Sequence, residues 1–198
     1  MKKGLRFTLA LLLLLTTLSL CVYAANIAEG KAEDVSWSIS DSGTLTVSGE
    51  GTIPNYTRSV VAPWNSYAKQ IRKIVVADGI TSVGDYAFYN LSKATSIELA
   101  SSVKSLGTQF IRGTAITSVT LPAVERLEEQ AFARADSLTT IIAGESVKDI
   151  YGTVFFSETV TIKAPSGSAS ALNVIALFIW IMMTSTSTAN QRRNPSSQ

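Results

Sequence analysis

A repeat limits what this chain can fold into more than any other feature. Phe88, Phe110, Phe132 and Phe155 lie 22, 22 and 23 residues apart. Before them come Val83, Leu106, Leu127 and Ile150, and before those Ile80, Val103, Val124 and Val147. Between phenylalanines runs a second apolar set: Ile71/Ile74/Val76, Ala94/Ile97/Leu99, Ile116/Val119/Leu121 and Leu138/Ile141/Ala143. Self-similarity at this period marks a solenoid, in which each unit buries its apolar face only by stacking on the next.

The last two apolar positions of each run are two residues apart, so on a strand they share one side. Their neighbours point the other way: Lys73 and Val75, Ser96 and Glu98, Ser118 and Thr120, Thr140 and Ile142. These are mostly polar, as expected for the solvated face of a parallel sheet. Ser, Thr, Val and Ile dominate, which favours strands over amphipathic helices. The phenylalanines are expected to fill the wide part of each coil, with Phe110 and Phe132 buried in equivalent positions.

The phrases Thr81–Phe88 (TSVGDYAF), Lys104–Phe110 (KSLGTQF) and Ile116–Pro122 (ITSVTLP) resemble BspA-type leucine-rich repeats. The resemblance covers about Trp37 to Lys163. It implies a β-rich solenoid, a right-handed coil of about four repeats with an N-terminal β-hairpin cap. It also implies a surface protein that adheres to matrix, cells or glycans. The chain departs from the family pattern in places. Asn90, Arg112 and Arg134 stand where a small residue or cysteine is usual, and the repeat glycine, present as Gly84 and Gly107, becomes Glu128 and Tyr151. The last two coils are therefore expected to turn less regularly.

Residues 1–25 read as a secretory signal. Lys2, Lys3 and Arg6 precede an apolar core, Phe7 to Leu20, and Val22-Tyr23-Ala24 ends on a small residue. Leu20 before Cys21 argues against a lipoprotein signal. Cleavage after Ala24 would remove the single cysteine, leaving no disulfide and no thiolate ligand. It would also leave 14 basic against 15 acidic residues, a balance that does not suggest a nucleic-acid footprint.

Residues 26–70 read as a capping segment. Asn26 to Asp34 is a polar link. Trp37, Ile39, Leu45 and Val47 then alternate with Ser36, Ser38, Thr44 and Thr46 around the turn Asp41-Ser42-Gly43, which predicts a hairpin. Tyr56, Trp64 and Tyr67 are expected to cover the open end of the first coil. The alternative is an exposed aromatic platform for sugars. The repeats follow at 71–163.

Residues 164–198 admit two readings. Ala171 to Met183 is apolar apart from Asn173, only 13 residues against the roughly 20 that span a bilayer. One reading is a short membrane anchor. The other is a C-terminal cap, although Ile175 to Met183 lacks the polar face a cap should show.

Catalytic motifs are scarce. The chain has no histidine, so serine and cysteine triads and histidine-based zinc sites are excluded. No phosphate-binding or dinucleotide fingerprint occurs, and no cofactor or metal is expected. Glu125, Glu128 and Glu129 read as a solvated return face rather than a glycosidase pair. Asn55-Tyr-Thr57 and Asn90-Leu-Ser92 match the glycosylation acceptor pattern. The reading is an exported, non-enzymatic binding protein with a protein or glycan partner. Its candidate contact residues are Lys73, Ser96, Glu98, Ser118, Thr120 and Thr140 on the polar side of the sheet. A secreted hydrolase or its accessory module, and a structural fragment of a longer surface protein, are the rivals. Any membrane contact would run through Ala171–Met183.

Overall fold

The computed structural model describes residues 25–151 and 160–163. The signal segment, Phe155 and everything after Lys163 lie outside them. Three antiparallel strands open the fold: β1 (Asn26–Ala32), β2 (Val35–Ser40) and β3 (Thr44–Gly49). The predicted hairpin is β2–β3, with Trp37, Ile39, Leu45 and Val47 turned inward and buried. Gly43 closes it at φ +81, and a Cβ there would fall against the Gln70 carbonyl oxygen, so only glycine fits.

The polar link expected at Asn26 to Asp34 is instead β1, an edge strand held to β2 through its backbone. Its sequence shows little apolar alternation, because pairing rather than burial places it. Gly30 lies opposite Trp37, and a Cβ there would stand 2.9 Å from the indole Cζ2.

The chain then leaves through β4 (Gly51–Ile53) and a 3-10 turn, Pro63–Tyr67, and enters the coils. Each coil contributes one strand to a main sheet and one to a second sheet. The main-sheet strands are β5 (Lys73–Val76), β7 (Ser96–Leu99), β9 (Ser118–Leu121), β11 (Thr140–Ala143) and β13 (Thr161–Lys163). Those of the second sheet are β6 (Ile80–Val83), β8 (Ser105–Leu106), β10 (Arg126–Leu127) and β12 (Asp149–Ile150). The second sheet runs in parallel from β4 to β12. In the main sheet β3 pairs in parallel with β5. The hairpin is thus continuous with the solenoid sheet rather than a separate lid.

The ladder is interrupted between β7 and β9, which divides the main sheet into five strands and three. The coil feeding β9 is short at its corner. Thr114 and Ile116 are two residues apart, where Leu91 and Ala94, and Ala135 and Leu138, are three apart.

Between the sheets lies one core that includes every apolar position of the repeat pattern within the described residues, with Leu99 and Ile150 only partly buried. The third side of each of the first three coils is a turn whose backbone crosses to positive φ twice: at Tyr86, Gln109 and Gln130, and again at Asn90, Gly113 and Arg134. These residues stand three and seven places after the paired positions Val83, Leu106 and Leu127. The third coil therefore turns as regularly as the first two, although Glu128 replaces the repeat glycine.

This register corrects one expectation. Phe88, Phe110 and Phe132 are all buried. Phe88 and Phe132 come five residues after the paired strand position, but Phe110 comes four after. Phe110 thus occupies the place of Ala87 and Ala131, and Ile111 takes the place of the other two phenylalanines. A small–large pair is replaced by a large–medium pair, and all six side chains remain buried.

Candidate functional site

The outward side chains of the main sheet form two rows. One runs Thr44, Lys73 and Ser96 on β3, β5 and β7, then Ser118, Thr140 and Thr161 on β9, β11 and β13. The other runs Thr46, Val75 and Glu98, then Thr120, Ile142 and Lys163. Adjacent members of a row are one strand apart, roughly 4.8 Å. Alternation places them here, because the residues between them are the buried Ile74/Val76 and Val119/Leu121 pairs.

The six residues singled out in the sequence all lie on this face. They form two groups rather than one line. Lys73, Ser96 and Glu98 share β5 and β7, while Ser118, Thr120 and Thr140 share β9 and β11, across the interrupted ladder. Lys73 Nζ and Glu98 Oε1 form an ion pair of 2.6 Å, with both side chains over a third exposed. At that exposure the pair contributes about 0–1 kcal/mol to stability. Its chemical effect is larger, since each charge cancels the other and hydroxyls dominate the face. Val75 and Ile142 interrupt the second row, and Ile142 is exposed.

Thr44 and Thr46, with Ser36 and Ser38 on β2, extend the hydroxyl surface towards the edge and were not among the sequence candidates. Their signal was present in the hairpin alternation. Read as a cap, the hairpin does not reveal that it continues the row.

The other clusters have structural roles. Trp64 is fully buried, donates from Nε1 to the Ala87 carbonyl at 2.9 Å, and stacks within 5.9 Å of Phe88. Tyr56 and Trp37 meet Trp64 edge-on at 5.8 and 6.3 Å. These rings cover the open end of the first coil and are not a platform in solvent. Burial, helped by the Glu33 carboxylate, pushes the Tyr56 phenol up to about 12. Glu125, on the return side, lies between Lys104 and Lys148 at 3.9 and 3.4 Å, which makes it part of a charged row along the coils.

The model of the BspA-type leucine-rich repeat region matches residues 65–172, with six copies. The chain belongs to this family. The match begins at Asn65, inside the 3-10 turn and six residues before the repeat boundary read from the sequence. Among solved structures, a leucine-rich repeat protein of Eubacterium ventriosum is similar at 23% identity and TM-score 0.59, over 72% of this chain and 45% of that one. A leucine-rich cell surface protein of Faecalibacterium prausnitzii aligns at 18% identity and TM-score 0.44, over 71% and 44%. This chain thus spans less than half the length of either. A search of the curated proteins returns no match. What the E. ventriosum protein shares with this family member is the fold.

Proposed function

We propose that the chain is an exported, non-enzymatic binding module that holds an extended polar partner, a glycan or a peptide, along the outer face of its main sheet. The observation behind this reading is the separation of that face from the core. Its side chains alternate with buried ones, so they contribute little to folding and are free to serve recognition. Paired hydroxyls at strand spacing offer repeated hydrogen bonds to a chain laid across them, whereas a deep small-molecule site needs an apolar concavity. Membership of a repeat family built on stacked sheet faces points the same way. The basic-then-apolar leader supports export to the cell surface.

The test is a panel of immobilised glycans and matrix proteins probed with the purified protein, with breakdown of each ligand followed in parallel. Saturable binding without turnover is the expected result. Turnover that disappears when a single carboxylate is replaced would make the chain a hydrolase and overturn the reading.

A further inference from the structure

A second surface lies away from the main sheet, on the third side of the first coils. The loop after β4 folds back as a tight Thr57–Val60 turn. Val60 N–H donates to Thr57 Oγ1 at 2.9 Å, and Thr57 N–H to the Val60 carbonyl at 2.9 Å. The loop is joined to the next coil at two points. Asp85 N–H donates to Asn55 Oδ1 at 2.8 Å, and Tyr56 N–H to the Asp85 carbonyl at 2.8 Å. Between this loop and the Asp85–Asn90 turn runs an open groove of about 600 Å³ lined by Thr57, Arg58, Ser59, Tyr86 and Tyr89. That volume falls within the range of ligand sites, roughly 300–1,000 Å³.

The lining has a definite chemistry. Tyr86 and Tyr89 stand at 82° with centroids 5.9 Å apart, so one ring presents a face where the other presents an edge. Arg112 lies over Tyr89, 6.0 Å from its centroid, and donates to Gln109 Oε1 at 2.7 Å. The single charged lining residue is Arg58, exposed and without an ion pair or hydrogen bond among the described residues. No carboxylate lines the groove. No aliphatic side chain lines it either, although Val60 and Val61 lie exposed nearby. A peptide groove would need apolar pockets or a strand edge. A tyrosine face with hydroxyls and a free guanidinium instead suits a sugar ring carrying an acid group: the ring stacks, and the guanidinium pairs with the anion.

We propose that this groove binds an acidic saccharide, one whose rings carry carboxylate or sulfate. The site is independent of the main-sheet face. Arg58 supplies the ion pair, Tyr89 the stacking face on the side of its ring opposite Arg112, and the two segments are joined beforehand, so little ordering is needed on binding.

Isothermal titration of the exported protein tests this with four probes: a tetragalacturonate, its methyl ester, a chondroitin sulfate hexasaccharide and a poly-glutamate of equal charge. Saturable binding of either acidic saccharide is expected, and loss of the chondroitin hexasaccharide's binding on desulfation identifies sulfate, rather than its uronate carboxylate, as the group recognised. The methyl ester and poly-glutamate are expected to bind at least tenfold more weakly. Arg58→Ala and Tyr89→Ala should each weaken the acidic saccharide at least tenfold, and Tyr89→Phe should retain it. Ser101→Ala, at an exposed turn outside both surfaces, should leave it unchanged. No saturable saccharide binding, equal binding of poly-glutamate, or full affinity in Tyr89→Ala with an unshifted melting point would overturn the proposal.

Discussion

Phe110 meets Phe132 edge-on with ring centroids 5.5 Å apart, although the two rings leave the chain from different places in their coils. The contact closes because Phe110 starts one residue early, opposite Ala131, while Phe132 stacks opposite Ile111. Truncating either ring to alanine should cost about 3–5 kcal/mol in urea melts. In a double-mutant cycle the two losses should deviate from additivity by more than about 0.5 kcal/mol. Additive losses would mean that the rings do not share a cavity.

That one-residue offset shows where the sequence could be read and where it could not. The strand positions Val83, Leu106 and Leu127 were legible, because period-two alternation fixes which side chains enter the core. The place of Phe110 was not. Equal spacing of three phenylalanines looked like equal placement, but a register is set by backbone corners. Positive φ at Gln109 and Gly113 cannot be seen in an apolar pattern. Strand β1 was missed for a related reason, since an edge strand held by backbone bonds needs no alternation. The candidate face was readable as a list of six residues. Its division at the interrupted ladder, and its continuation onto Thr44 and Thr46, depended on pairing across coils.

Gly84 sits where the first coil passes under the segment that leaves β4. A Cβ there would fall against the Pro54 carbonyl and the Ile53 oxygen, both backbone atoms. Gly84→Ala should therefore cost about 1–3 kcal/mol by overpacking. Ser101→Ala, at an exposed turn, serves as the control and should melt like the parent. Equal melting of all three proteins would contradict the close approach.

The buried phenol of Tyr56 makes stability depend on pH at the alkaline end. Its raised value means that the unfolded chain loses this proton near pH 10 and the folded one only at about 12. The contribution is full below pH 10 and is lost as pH rises towards 12. Tyr56→Phe has no proton to lose, so the parent should lose more stability than the variant between pH 10 and 12. Parallel decline in chemical denaturation at both pH values would remove Tyr56 as the cause.

Whether recognition belongs to the outer face of the main sheet is read from one paired measurement. Glu98→Arg with Thr120→Arg changes two outward side chains and leaves Ile97, Val119 and Leu121 in the core untouched. The Lys73–Glu98 pair it removes is solvent-exposed, so its loss should cost no more than about 1 kcal/mol. Affinity for a ligand found in the glycan and matrix panel is measured for parent and double variant, together with their thermal midpoints. At least a tenfold loss of affinity, with midpoints within a few degrees, is the result expected of a binding face. A double variant that binds as the parent does, at the same midpoint, would contradict it.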